Sequence, residues 1–225
     1  MNKNRIIQIV SSHYKLFRFV SCIYAFICPK NKIHTKRVQL SYGVTLLDGL
    51  KIRNYGKNNE IILGDFVRIK KCTIIIHGSC NKIIIGDFSF LNQTELYIEN
   101  ENNEILIGKH TNIYGPAHLA VIEGTKILIG DNCLLSSDLH FRTGDSHSIL
   151  DMQGKRINAS QNIVIENHVW IGTKVTCLKG VYVASDSIVA ATTTLCKKYE
   201  QKNCIIAGVP GKIVKTGVSW DSQRI

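Results

Sequence analysis

Proline is scarce in this chain, with 3 residues in 225, and that argues against extended disorder. The eight cysteines, Cys22, Cys28, Cys72, Cys80, Cys133, Cys177, Cys196 and Cys204, include no CxxC pair. Neither a zinc site nor a disulfide framework is therefore indicated. Several sit where apolar residues would, which suits small buried hydrophobes in a reducing cytoplasm. Long apolar runs are missing too. The segment from Phe19 to Cys28 falls short of the ~20 residues a membrane helix needs. Only Cys28-Pro29-Lys30 follows it, with no small-residue cleavage site, so it does not read as a secretory signal. Acidic residues are few, 17 against 28 Lys and Arg, giving a net charge of +11. Such a balance points either to a generally cationic surface or to an anionic partner such as an acidic polysaccharide or a membrane. No nucleic-acid-binding motif accompanies it, and the cations are scattered among β-branched residues.

What is present begins with a distinct N-terminal segment. Ile6, Ile7, Val10, Tyr14, Phe17, Val20 and Tyr24 recur at helical steps with Lys3, Arg5, Lys15 and Arg18 interspersed. This predicts an amphipathic helix that packs on the body or a neighbouring subunit, or rests on an anionic membrane. From about residue 38 the chain repeats itself. Ile62-Leu63-Gly64-Asp65, Ile84-Ile85-Gly86-Asp87, Leu106-Ile107-Gly108-Lys109 and Leu128-Ile129-Gly130-Asp131 return every 22 residues, separated by polar turns. Later, Ile165, Ile171, Cys177, Val183, Val189 and Leu195 fall six apart. A fixed short period with strand-like runs is the mark of a solenoid, whose units bury their apolar faces by stacking. One inward side chain per flat face and three faces per coil account for the six-residue step. The longer period is then a coil of 18 with four extra residues at one corner. Asn203 to Lys212, rich in Pro and Gly, ends the last coil, and a short strand or helix is expected to cover the open end. The domain reading is a helical segment at 1–37, a solenoid at 38–215 and a tail at 216–225.

The two regimes meet in Gly144 to Trp170, GDSHSILDMQGKRINASQNIVIENHVW. A polar, histidine-bearing interruption of a rigid scaffold is a common way to build a site, and it predicts an active-site loop at about 138–162. Together, the hexads, the His168-Val169-Trp170-Ile171-Gly172 run and Ala207-Gly208-Val209-Pro210-Gly211-Lys212 resemble the hexapeptide-repeat acyltransferases. Within these the chain is most similar to sugar and polysaccharide O-acetyltransferases of the galactoside and polysialic-acid type. The resemblance implies an all-β, left-handed parallel β-helix solenoid, an acetyl-CoA co-substrate, no metal, and a homotrimer with sites between subunits.

It also implies roles. His147 would be the general base that takes the proton of an acceptor hydroxyl as it attacks the thioester carbonyl. Asp145, Glu123 or a backbone carbonyl would hold the other imidazole nitrogen. Trp170 would wall the site, and backbone N–H groups from Trp170 to Thr173 would receive the oxyanion. Gly172 and Thr173 would lie near the thioester, Ala191 and Lys197 along the pantetheine and diphosphate, and Gly208, Lys212 and Lys215 near the nucleotide. At Ala190-Ala191-Thr192 the chain departs from the family's Gly-rich pattern, which puts a close cofactor approach there in question. His118, Glu123, Arg142 and Arg156 are candidates for the acceptor cleft. His140 reads as structural or acceptor-lining, and His168 as a coil corner. The high positive charge, with Arg142 and Arg156 flanking His147 and Lys70, Lys71, Lys82, Lys155 and Lys179 nearby, predicts an anionic glycan such as a capsule or lipopolysaccharide chain. One alternative keeps the chemistry but changes the acceptor to an amino sugar or an antibiotic, and two others stand beside it. One is a γ-class carbonic anhydrase, which needs three converging zinc-binding histidines. The other is a non-catalytic solenoid that serves as a binding module.

Overall fold

The structure, a computed structural model, describes residues 3–34 and 36–223; side chains are described from residue 8 onward. Lys3, Arg5, Ile6 and Ile7 of the expected amphipathic pattern thus have described backbone only. Two helices, α1 (Lys3–Ser12) and α2 (Tyr14–Ile27), precede a solenoid whose first strand is Lys32–Ile33. The described residues then wind through eight coils of three short strands each. The strands stack into three parallel sheets, called here faces A, B and C in the order the chain visits them.

Stacked columns of apolar side chains fill the inside of the coil. The column on face A runs Ile52, Ile74, Leu96, Leu119, Phe141, Cys177, Leu195. Those on faces B and C run from Leu63 to Val183 and from Leu47 to Val189, and all are buried. Full burial of each such side chain contributes about 1.5–3 kcal/mol, so the stacked columns are the core. The six-residue step from Ile165 to Leu195 is one inward residue per face, as the spacing predicts. In the 22-residue coils the extra residues all lie at one corner, between faces A and B. Examples are His77 to Asn81, between strands Thr73–Ile76 and Lys82–Ile85, and Glu99 to Asn103 one coil on. The histidine loop is the same corner enlarged, between strands Leu139–Arg142 and Ile163–Ile165.

The Ile-Leu-Gly-Asp repeat is structural. Each Asp or Asn side chain accepts a backbone N–H from the coil before it: Asp87 Oδ1 from Asp65 (2.9 Å), Asp131 Oδ1 from Lys109 (2.6 Å), Asn167 Oδ1 from Asp131 (2.8 Å). The glycine lets the coils approach, for a Cβ on Gly64 or Gly130 would fall 2.3 Å from the Asp87 or Asn167 Oδ1. A second ladder, buried, runs up the enlarged corner. Asn59, Asn81 and Asn103 each accept the N–H of the equivalent residue one coil later, at 2.8 to 3.1 Å, ending on Thr125. Thr125 Oγ1 then donates to Thr143 Oγ1 (2.6 Å), so this ladder delivers its order to the first residue of the histidine loop.

The ends are closed differently. At the first coil, Asn31 donates to the carbonyls of Ala25 and Leu47 and accepts the N–H groups of Gly49 and Leu50, all at 2.8–2.9 Å. It thereby pins α2 to the coil. At the other end, the strand Lys212–Thr216 does not cover the core. It pairs antiparallel with Cys204–Ala207 at the edge of face C and is exposed throughout. The last coil is filled instead by buried Tyr199, whose hydroxyl donates to the Gly211 carbonyl (3.1 Å).

Candidate active site

The loop leaves face A at Thr143, which is fully buried, and passes through Gly144, where a Cβ would lie 2.4 Å from both Ile122 Cγ2 and Ser160 Oγ. Only glycine lets the outgoing and returning limbs lie that close. Ser146 then takes a left-handed conformation, φ +63°, and receives a hydrogen bond from Arg142 Nη2 at its Oγ (3.1 Å). His147 follows, exposed, and its ring has no hydrogen-bond partner among the described residues.

Two clamps hold the loop while leaving that ring free. The first centres on Asn158, a buried residue that the sequence reading did not single out. Its Nδ2 donates to the His147 carbonyl (2.7 Å) and to Asp145 Oδ2 (2.8 Å), and its Oδ1 accepts from Ile149 N–H (2.8 Å) and Arg156 Nε (3.2 Å). Lys179 Nζ completes it, donating to Asp145 and to the Asn158 carbonyl. The second clamp is Glu123, which accepts from Arg156 Nη1 (2.6 Å) and Nη2 (3.0 Å) and from Ser160 Oγ (2.8 Å). The Lys179 ammonium, then the Asn158 amide, hold the Asp145 carboxyl below its ordinary range. The Arg156 guanidinium, then Ser160, pull Glu123 down to about 2.

This revises several expectations. Asp145 and Glu123 are the candidates to orient the imidazole, yet both carboxylates are engaged with cations inside the loop. Asp145 acts on His147 through Asn158, at the backbone. Arg156 and Lys179 are likewise partners of these carboxylates and not free surface charges, and Lys82 is paired with Glu60 (3.1 Å). Arg142 is different: its recorded bond is to the neutral Ser146 hydroxyl. No sequence motif marks Asn158 or Lys179, because their roles depend on which limbs the fold brings together. His118 Nδ1 donates to Glu95 Oε1 (2.9 Å), with the His140 ring 6.2 Å away on the next strand. Among the described residues no three His, Cys, Asp or Glu side chains converge as a metal cluster would.

Of the residues assigned to the cofactor, Gly172, Thr173, Ala191 and Gly208 follow face-C strands at another corner, between faces C and A, whereas Lys197 lies at the corner between faces A and B, away from that edge. Trp170 is 40 % exposed on face C, in register with Leu134 and Ile188. Gly172 stacks on the next coil, where a Cβ would be 2.7 Å from the Ala191 N; that contact is reason enough for the glycine. Thr173 accepts the Thr192 N–H (2.8 Å), and Gly208 accepts that of Thr194 (3.1 Å). Thr173, Ala191 and Gly208 therefore form one continuous edge over three coils. Lys197 is exposed above the Tyr199 ring, and Lys212 and Lys215 lie on the exposed last strand. The N–H groups of Trp170 and Gly172 donate to Ser187 and Val189 carbonyls, whereas that of Thr173 has no partner among the described residues. Trp220, in the tail, stacks on His168 (4.4 Å), donates from Nε1 to the His168 carbonyl (2.9 Å) and stands 6.1 Å from the Trp170 ring. His168 is a left-handed corner residue, φ +55°, and its Nδ1 bonds Asp186 (2.9 Å).

A parallel β-solenoid with three flat faces and six-residue spacing is the left-handed β-helix architecture that polysialic acid O-acetyltransferases of known structure also have. The comparisons with known proteins find similarity to acetyltransferases. No family model matches the chain. It is 32% identical over 107 residues to the polysialic acid O-acetyltransferase of Neisseria meningitidis, covering 47% of this chain and 50% of that protein. It is 30% identical over 104 residues to the galactoside O-acetyltransferase of Escherichia coli K12, covering 45% and 50%. The solved structure of the polysialic acid O-acetyltransferase OatWY superposes with a TM-score of 0.76 at 28% identity, over 87% of this chain and 90% of that one. The chain spans about half the length of these two curated relatives.

Proposed function

We propose that this protein transfers an acetyl group from acetyl-CoA to a hydroxyl of a sugar or surface polysaccharide, with His147 as general base. The observation that carries this is the loop itself: two clamps immobilise its backbone while the His147 imidazole stays unpartnered and exposed, as a base awaiting an external proton donor must be. The acceptor hydroxyl gives its proton to His147 as its oxygen bonds to the thioester carbonyl carbon. The carbonyl oxygen takes the electron pair, and the Thr173 N–H, unpartnered among the described residues, is the donor that stabilises it. Collapse of the tetrahedral intermediate breaks the C–S bond, and the imidazolium proton goes to the departing CoA thiolate.

Geometry also supports shared sites. His147 lies at the corner between faces A and B, and the Thr173 edge at the corner between C and A. Face A separates them, about 15 Å wide for five residues at 3.3 Å each. One chain does not bring the two halves together, whereas neighbouring copies packed corner to corner would. We therefore assign the active form as a homotrimer, with the base from one subunit and the acyl donor edge from the next. For the acceptor, the loop clamps narrow the charge argument to Arg142, beside His147, with Lys155 at the loop tip. An anionic capsule or lipopolysaccharide chain suits that cation.

The test is release of CoA from acetyl-CoA against a panel of neutral and acidic glycans. His147→Ala should lower turnover by roughly 10²–10⁴-fold with the fold intact. A variant keeping more than half the activity removes His147 from the mechanism, and a fully active monomer by light scattering removes the shared site.

A further inference from the structure

The helix α2 is built inside out for a soluble protein. Its inward side carries, beside the half-buried Phe17, small or polar residues: Ala25, 1% exposed, with Cys22 accepting from the Tyr42 hydroxyl (3.2 Å) and Tyr14 donating to Asp65 (3.0 Å). Its outward side carries Leu16, Phe19, Val20, Ile23, Phe26 and Ile27, stepping by three and four. Phe19 is 63%, Phe26 61% and Ile27 70% exposed. A helix that packs on a core turns its apolar stripe inward; here a docked, pinned helix presents it to the outside.

The charge of the same segment says what covers the stripe. No Asp or Glu occurs before Asp48, while Lys3, Arg5, Lys15, Arg18, Lys30, Lys32, Lys36 and Arg37 all do. Lys15 and Arg18 are exposed on α2 itself. A second copy of α2 would bring only like charge to the stripe. A bilayer surface with anionic headgroups offers the complement to both features, taking the apolar side chains to the depth of the acyl boundary and the cations at headgroup level. At 14 residues, α2 is about 21 Å long, less than the ~30 Å hydrocarbon thickness. No described helix is long and apolar enough to cross a membrane, which leaves lying in the interface plane. We propose that α2 seats the protein on an anionic lipid surface, a property independent of the acetyltransferase reading.

Co-sedimentation of the full chain with phosphatidylcholine vesicles, with and without one third phosphatidylglycerol, tests it. Binding is expected to the anionic vesicles only and to weaken with salt. Lys15→Gln with Arg18→Gln should reduce partitioning by about 25-fold, at about fivefold per basic residue near the surface. Phe19→Ser with Phe26→Ser should reduce it at least tenfold. Both substitutions are at exposed sites, and circular dichroism should report an unchanged fold. CoA release with a soluble acceptor should also be unchanged, so loss of vesicle binding and loss of activity are separable outcomes. Absence of binding, or equal binding to neutral vesicles, overturns the proposal. So does a Phe19/Phe26 variant whose light-scattering mass falls while vesicle binding persists, since the stripe would then be a contact between copies.

Discussion

Asn158→Ala would remove the residue on which the loop clamp converges. It deletes four hydrogen bonds: two from Nδ2, to Asp145 and the His147 carbonyl, and two to Oδ1, from Ile149 and Arg156. At about 0.5–1.5 kcal/mol each, their nominal sum is about 4 kcal/mol. Half of that is recovered when the exposed partners turn to water, leaving a local cost of about 2 kcal/mol, roughly a thirtyfold fall in the population of the ordered loop. Because a misplacement of about 1 Å costs about 10²-fold in rate, kcat/KM should fall between tenfold and hundredfold, less than for His147→Ala. The melting transition of the solenoid should hardly move, since the core columns are untouched. Steady-state CoA release, paired with thermal unfolding, reads both. Asn158→Asp serves as a sharper control: it keeps an oxygen for the Ile149 N–H but faces Asp145 with a like charge, so it should be no better than alanine. A kcat/KM within twofold of wild type for either variant would refute the view that this clamp positions His147.

The Glu123–Arg156 clamp has a pH signature. Its folded carboxyl is depressed to about 2, so its stabilisation is complete above the ordinary carboxylate value and is lost as pH falls from about 4.5 toward 2. The stability gap between wild type and Glu123→Gln, by denaturant unfolding, should be constant above pH 5 and shrink below it; a constant gap down to pH 2.5 would contradict the assignment. Arg142→Gln should raise the KM of an anionic acceptor and flatten its rise with salt, while the KM for acetyl-CoA holds; a salt-indifferent acceptor KM in the wild type would discard the charge reading. Trp220→Ala removes a ring that stacks on His168 and stands 6.1 Å from that of Trp170. Its KM for acetyl-CoA should rise severalfold with kcat changed less, and an equal fall in kcat with unaltered KM would place Trp220 elsewhere in the mechanism.

The architecture was legible because a solenoid is a local rule repeated. The six-residue step from Ile165 to Leu195 states one inward side chain per face, and the 22-residue step of Gly64, Gly86, Gly108 and Gly130 states where coils touch. Neither depends on distant partners, so periodicity alone determined coil, faces and core. The extra corner residues and the loop could also be read from spacing, as departures from that rule. The sequence also offered His147 and Trp170 as candidates, through residue types and their setting. It did not determine what each charge near the site does. Arg156 and Lys179 are indistinguishable in sequence from the less committed Arg142. Only folding brings Arg156 to Glu123 across 33 residues and Lys179 to Asp145 across 34. The outward stripe of α2 was hidden for the same reason: an amphipathic pattern fixes that a helix has two faces, and only its docking through Ala25 and Asn31 decides which one meets the coil. The separation of His147 and the Thr173 edge onto two corners is a property of the closed triangular coil, because adjacent faces turn residues close in sequence toward different neighbours.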